Sequence, residues 1–194
     1  MKSNKSAGVD QMTSTFIKNS AEGLIMPITK LFNTSMESGI IPSDWKYANV
    51  TPVFKKGSKQ DCGNYRPISL TCQMSKLMKR IIKDELMKFL EVNNIMRNSQ
   101  HGFRNRKSCL TNLLEFNQKL RYKIDKGEQR DLILLDLQKA FDKVPHNKLL
   151  LKLENIGVKG KIWMWIKEWL SHRKQKVVLQ GVESDWAEVF SGVP

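Results

Sequence analysis

Several stretches of the chain repeat apolar residues at helical spacing. Leu24, Ile28, Leu31 and Phe32 do so within residues 20–38, with Gly39 as a stop signal and Pro42 beyond it. From Ser75 to Val92, Leu77, Ile81, Ile82, Leu86, Phe89 and Leu90 form an apolar stripe, while Lys76, Lys79, Lys83 and Lys88 sit largely on the other faces. A further helix is predicted around Leu110, Leu113, Leu114, Leu120 and Ile124, closed by Gly127. Two more follow at about 145–156, with Pro145 suited to a first turn, and at about 160–172, where Ile162, Trp165, Ile166 and Trp169 share a face.

Between the helices the pattern changes to extended. YANVTPVF (47–54) and YRPISL (65–70) read as strands joined by a turn at Lys55-Lys56-Gly57, and Pro52 and Pro67 assign both to sheet edges because proline cannot donate to a ladder. DLILLD (131–136) reads as a central strand buried on both faces, and 175–190 as a hairpin around Gly181. Helices and strands mixed in this order place the chain in the α+β class.

Charge adds a partner to this picture. With 33 Lys and Arg against 19 Asp and Glu, the chain carries +14, divided as +1, +6, +5 and +2 over residues 1–50, 51–100, 101–150 and 151–194. A basic face built from the middle of the chain favours a polyanionic partner, nucleic acid ahead of an anionic membrane surface. Cys62, Cys72 and Cys109 are widely spaced with no CxxC pair, which gives neither a disulfide framework nor a zinc site and implies reduced, intracellular thiols. No apolar run reaches the length of a membrane span and the first residues have no signal core. A P-loop is excluded by the lack of GxxxxGK[ST], and a zinc protease by the lack of HExxH, since His101, His146 and His172 have no paired spacing.

The residues with most chemical content are LDLQKAFD, 135–142. Asp136 ends the apolar run, and a carboxylate there must be solvated, paired or bound to a metal. Magnesium takes hard oxygen ligands, and two such ions can stabilise the attacking and leaving oxygens of a phosphoryl transfer. Read locally, Asp136 is equally a turn residue or the partner of a nearby lysine.

LDLQKAFDKVPH (135–146) is similar to the first catalytic motif of the reverse transcriptases of non-LTR (LINE/jockey-like) retrotransposons. Other segments resemble that family in the same order: KSAGVD (5–10), SGIIPSDWKYANVTPVFKKG with NYRPISL, SQHGFRNRKSC (99–109), and Ser191-Gly192-Val193-Pro194 as the opening of a motif that continues with glutamine and glycine. The resemblance implies a right-hand polymerase fold, with fingers and adjoining helices over 1–127, an incomplete palm with the first catalytic strand over 128–194, and no thumb. It implies Asp136 as catalytic metal ligand, Phe141 beneath the incoming sugar, and Asp142 orienting the turn. It also implies Arg66 on the triphosphate, where a guanidinium gives bidentate hydrogen bonds, and Lys55 or Lys56 as a second phosphate contact. His101, Arg104, Arg106, Lys107 and Gly192 fall where the family lies close to template and nucleotide. Family members often carry glycine and arginine near the positions of Arg106 and Lys107, so a turn that needs positive φ is at issue there.

The expected activity is extension of a DNA primer on an RNA template with deoxynucleoside triphosphates and a two-ion Mg2+ site, by an enzyme working on nuclear DNA. The sequence stops before the aromatic-Ala-Asp-Asp hairpin that supplies the second main carboxylate, so this chain alone is expected to be inactive. A non-catalytic, basic nucleic-acid-binding module and a decayed fragment of an element stand as alternatives.

Overall fold

The computed structural model describes residues 6–193. The chain is α+β and divides into two compact units: one takes the chain up to Asp84 and again from Lys139, and the other is Glu85–Gln138.

The first unit begins with α1 (Ser14–Asn19), whose first turn is capped by the Thr13 hydroxyl accepting from Phe16 N at 3.1 Å. Next comes α2 (Ala21–Ser38), ended by Gly39 in the left-handed region at φ +71°. The sheet then starts with β1 (Tyr47–Phe54) and β2 (Tyr65–Thr71), paired antiparallel from Ala48↔Thr71 to Phe54↔Tyr65. After the other unit, α5 (His146–Asn155) and α6 (Gly160–Leu170) lead to β3 (Lys174–Leu179) and two short strands, β4 (Val182–Glu183) and β5 (Ala187–Glu188), both antiparallel to β3. The strand order is β2-β1-β3-β4, with β5 also against β3. The hairpin expected around Gly181 is the β3–β4 pair.

One sequence expectation about the sheet is corrected. β1 is not an edge strand, because β3 pairs with it in parallel, Tyr47↔Lys174 to Val50↔Val177. The prolines are accommodated by register. Lys55 N donates to Asn64 O at 2.9 Å, so hydrogen-bonded pairs alternate from 55/64 and the facing pair Pro52↔Pro67 is a non-hydrogen-bonded one. Pro52 therefore turns its missing donor toward the β3 side, and the parallel ladder ends at Val50, two residues before it. Pro67 turns its own toward the free edge of β2.

One face of the sheet is closed by helices. Ala48 and Val50 are buried together with Phe32 and Ser35 of α2 and Trp165, Ile166, Trp169 and Leu170 of α6. Trp165 is 1% exposed and its indole N–H donates to Ser35 Oγ at 3.0 Å; Ser35 Oγ in turn donates to Ile40 O at 2.7 Å. A buried indole with its one donor satisfied is a net gain of a large apolar area. Phe32 meets Trp45 edge-on at 5.7 Å, and Trp165 stacks on Trp169 at 6.2 Å.

The helix α3 (Gln73–Val92) starts in this unit and runs into the other. It buries Met74, Met78 and Ile82, a four-residue repeat that leaves Ile81 exposed, whereas the sequence pattern put Ile81 in the stripe. Its first turn is clamped by the N-terminal segment. Asp10 Oδ2 accepts from Gln73 N at 3.2 Å, and Gln73 Nε2 donates to Ser6 O at 2.8 Å. Gly8 lies so close that a Cβ there would stand 2.4 Å from Thr71 O. Beside it, burial first and then a hydrogen bond with Asp10 push the Cys72 thiol up to about 11.

The unit Glu85–Gln138 contains the end of α3 and α4 (Cys109–Asp125), which is opened by a capping box between Ser108 and Thr111. The expected strand at 131–136 is not present. Residues 129–143 are all exposed, with Ile133 82% and Leu135 91% accessible, and 131–137 carry no regular structure. An apolar run becomes a strand only where partner strands satisfy its backbone, and none of the described strands pairs with it.

One side chain in the first unit is held against its electrostatics. Lys79 Nζ sits 5.0 Å from the Trp169 ring centre and 3.4 Å from Thr71 Oγ1, and Arg173 lies 5.7 Å over the same ring. Burial first, then the charges of Arg173 and Lys76, lower the Lys79 ammonium to about 8. Because the folded pKa lies below the ordinary value of 10.5, the unfolded chain binds more protons between pH 8 and 10.5, and stability rises with pH across that window. Lys79→Met is therefore expected to raise unfolding stability near pH 7 by about 1–3 kcal/mol, since it removes a half-buried charge that has no counter-ion among the described residues. In urea unfolding the advantage over the parent chain should shrink at about pH 9.5. An equal or larger advantage at the higher pH would refute the assignment.

Candidate functional site

Two motifs that lie about fifty residues apart in sequence meet in the first unit. Pro145 and Ser191 form an antiparallel bridge, Gly192 N donates to Val144 O at 2.8 Å, and Val193 N donates to Phe141 O at 3.1 Å. Ser191 Oγ adds a bond to Asp142 O at 3.1 Å. The segment Phe141–His146 and the turn Ser191–Val193 are thus laced together mainly through backbone, which fixes their relative position without depending on side-chain rotamers. The Phe141 ring is exposed.

Gly192 is required at the centre of this lacing. Its φ is +87°, and a Cβ would stand 2.8 Å from Asp142 O. Its carbonyl accepts twice, from His146 Nε2 at 2.9 Å and Arg173 Nη1 at 3.1 Å. Arg173 is 5% exposed, and burial lowers its guanidinium to about 10. Sequence reasoning missed Arg173 and the structural role of His146. Neither stands in a recognisable motif; only Gly192, singled out for another reason, marks the place.

At the tip of the β1–β2 hairpin, the turn with Lys55 and Lys56 is well built. Gly57 has φ +88° with Asn64 packed against it, Asn64 Nδ2 donates to Ser58 O at 3.0 Å, and the Tyr65 hydroxyl donates to Lys59 O at 2.8 Å. Both lysines are exposed. Arg66 is exposed on β2 opposite Val53, with no carboxylate partner among the described residues. The hairpin therefore presents its cations to solvent.

In the other unit, the basic loop differs from expectation at one residue. His101 is buried, 8% exposed, with Nδ1 2.9 Å from Thr111 Oγ1 and Nε2 2.9 Å from Glu115 Oε2. With both ring nitrogens engaged, it pins the loop to α4 and has none free for a nucleic-acid backbone. Lys119 first, then His101, hold the Glu115 carboxyl below its usual range through hydrogen bonds. Arg104 Nη1 donates to Arg97 O at 3.1 Å and Lys107 Nζ to Asn98 O, so each brackets the loop as well. Arg106 is exposed and adopts φ +59°. The turn that favours glycine there is kept, with an arginine in the left-handed conformation.

Asp136 lies in this same unit, on the exposed segment described above. Among the described residues no group of three or more His, Cys, Asp or Glu side chains comes together to hold a metal ion. A single carboxylate does not make a two-ion site, so these residues by themselves do not fit one. Nor, among the described residues, is any helix long and apolar enough to cross a membrane.

Residues 54–194 match the family of reverse transcriptases (RNA-dependent DNA polymerases). The chain belongs to this family. It is 26% identical over 191 residues to a probable RNA-directed DNA polymerase from transposon BS of Drosophila melanogaster, covering 98% of this chain and 21% of that protein. It is likewise 26% identical over 194 residues to the RNA-directed DNA polymerase from mobile element jockey of the same organism, again 98% and 21%. A polyprotein from the type-1 retrotransposable element R2 of Popillia japonica is 27% identical over 120 residues, 62% of this chain and 16% of that one. The chain thus spans about a fifth of the length of the transposon polymerases it resembles. The relatives it resembles over nearly its whole length are RNA-directed DNA polymerases of transposons and mobile elements.

Two substitutions check the geometry. Gly192→Ala should destabilise the chain by about 2–4 kcal/mol, from a backbone clash added to an unfavourable φ. Gly181→Ala, at φ +82° in open space, should cost only about 1–2 kcal/mol. Equal losses in thermal or urea unfolding would refute the clamp. At Arg106, replacement by β-branched valine should lower stability by about 1–2 kcal/mol while Arg106→Gly does not, read as amide exchange in the loop and α4.

Proposed function

We infer that the chain supplies the fingers and the start of the palm of a right-hand polymerase, the fingers with their adjoining helices over 1–127 and the palm from 128. Its parent enzyme adds deoxynucleotides to a DNA primer on an RNA template by two-metal nucleotidyl transfer. The observation that carries the reading is the backbone lacing of Phe141–His146 to Ser191–Val193 within residues that match a reverse transcriptase. It supports a site in which the residue beneath the incoming sugar, Phe141, is set against the turn that lies along the template, Gly192. Arg66, with Lys55 and Lys56, is assigned to the triphosphate, and their exposure on one hairpin supports this. Arg106, and the free donors of Arg104 and Lys107, are assigned to the nucleic-acid backbone. The parent enzyme acts on nuclear DNA.

Asp136 is assigned as one ligand of the magnesium pair, which when bound would neutralise charge developing on the transferred phosphate. A ligand of such a site has to be held in place by its surroundings. Here Asp136 sits on an exposed segment without regular structure, which supports the reading that this chain alone is inactive. In that condition it would still act as a basic module that binds nucleic acid in a salt-dependent manner, an alternative favoured by its +14 charge.

Primer extension with Mg2+ on an RNA template tests both parts. The 194-residue chain should incorporate no nucleotide, whereas a version extended by the corresponding downstream region of one of the transposon polymerases it resembles should. In the extended protein, Asp136→Ala should reduce incorporation by at least about 100-fold, the scale of losing a group that stabilises transition-state charge. Incorporation by the short chain would overturn the inactivity, and retained activity in the extended Asp136→Ala protein would overturn the role of the aspartate.

A further inference from the structure

None of the functional assignments uses the segment KSAGVD (5–10). Its first residue, Lys5, lies outside the described residues; the rest wraps over the junction between β2 and α3, all within the first unit. The Asp10 carboxylate accepts from the amide of Gln73, the first residue of α3, at 3.2 Å, from that of Met12 at 3.4 Å, and from the Cys72 thiol. It is a helix cap supplied from 63 residues away. Gln73, 1% exposed, returns the contact by donating to Ser6 O at 2.8 Å, and Gln11 N donates to Gly8 O at 3.1 Å, which turns the segment back on itself.

This junction is the root of the β1–β2 hairpin. β3 supports β1 only from Tyr47 to Val50, so beyond that point no described strand lies alongside the hairpin, and Val53, Phe54, Arg66 and Ile68 are exposed. The outer half, residues 51–54 with 65–68, projects from a root that must be held on both sides. On the β1 side the holder is β3. On the β2 side it is Gly8. In the alternation that starts from 55/64, Ala48↔Thr71 is a non-hydrogen-bonded pair, so the Thr71 carbonyl turns away from β1. It meets Gly8 there, where a Cβ would stand 2.4 Å from the carbonyl oxygen. Only glycine lets the two backbones come so close.

We propose that residues 6–12 are a clasp on the root of this hairpin, and that Gly8 and Asp10 are positioning residues for Arg66 on its outer half. The strand carries the placement of its root outward, because β2 pairs with β1 in one unbroken register from Ala48↔Thr71 to Phe54↔Tyr65. An edge strand gripped at one end opens locally less often than one left free. The clasp stands on the geometry alone, whereas the positioning role rests on the assignment of Arg66 to the triphosphate.

Amide hydrogen exchange of the 194-residue chain reads the clasp. Asp10→Ala and Gly8→Ala should each speed exchange at Thr51, Val53, Arg66 and Ile68, whose amides pair β1 with β2, by about tenfold, the scale of a lost helix cap. The Trp165 and Ile166 amides of α6 should not change, and Asp10→Asn, which keeps an acceptor, should restore most of the protection. Thr13→Ala removes the cap of α1 instead and should leave the hairpin as it is. No acceleration in the hairpin, or an equal one in α6, overturns the clasp. In the extended polymerase, Asp10→Ala should raise the nucleotide KM about fivefold with kcat nearly unchanged. Arg66→Ala should raise it too, and the double variant no further than Arg66→Ala alone, since one residue acts through the other. Effects that multiply in the double variant, or a KM that moves for Arg66→Ala and not for Asp10→Ala, overturn the positioning role. A KM unmoved by Arg66→Ala overturns instead the assignment of Arg66 to the triphosphate, and the exchange result still decides the clasp.

Discussion

Four residues of parallel ladder, Tyr47–Val50 against Lys174–Val177, join strands that are separated by well over a hundred residues of chain. A parallel pair cannot be closed by a tight turn; it needs a long crossover, and here the crossover contains α3, the whole second unit, α5 and α6. Loop closure grows only slowly with length, so the entropic penalty of so long a connection is modest beside that of ordering the residues at each end. What makes the pairing favourable is the apolar face that it completes. Ala48 and Val50 are buried on the side where Trp165 and Trp169 lie, and α6 delivers its chain directly into β3 through Arg173. Once β3 is in place, β5 is set against it, and the turn at Ser191–Val193 arrives where it can lace to Phe141–His146. The candidate site is therefore a consequence of the ladder, several steps removed.

Most of the secondary structure was legible because it rests on local rules. Gly39 ends α2 where a stop was expected, since only glycine takes φ +71° without strain, and the apolar spacing of α6 predicted the buried pair Trp165 and Trp169. The two failures among the strands share one cause, which is that a strand's role depends on its neighbours. Pro52 was read as excluding β1 from the interior, yet register alone puts the proline beyond the end of the parallel ladder. The run at 131–136 has strand composition and no described partner, so composition alone did not determine its state. His101 failed differently. A histidine in a basic loop reads as a surface ligand, and nothing in the local sequence reveals that Thr111 and Glu115, one and two turns along or just inside α4, will take both its nitrogens.

The site residues divide in the same way. The protruding basic hairpin that carries Arg66, Lys55 and Lys56 was legible because an exposed cation on a proline-marked hairpin needs only local structure to be where it is. Arg173 was not found, because its meaning comes from burial against Trp169 and from an acceptor nineteen residues later. Its charge also shows why net charge is a blunt guide. The +14 of the chain favours a polyanion in general, whereas the two cations around Trp169 are set inside the fold, where desolvation and mutual repulsion make each one costly.

The difference in how Phe141 and Asp136 are held bears on what a polymerase site needs. Phe141 belongs to a segment whose backbone is tied at Phe141, Asp142, Val144 and Pro145 to a turn that only glycine can form, so its position is set by covalent geometry and hydrogen bonds. Asp136, five residues earlier, has no comparable restraint from its own strand pairing. Metal chemistry is the more demanding of the two roles, since ligands displaced by about half an ångström already lose productive geometry. The segment with Phe141 and the turn at Gly192 are thus held by backbone in this chain, whereas the segment with Asp136 is not. Of these two candidate residues the aromatic is the one secured by backbone, and a role that demands placement as close as metal binding would need more than the exposed segment gives the aspartate.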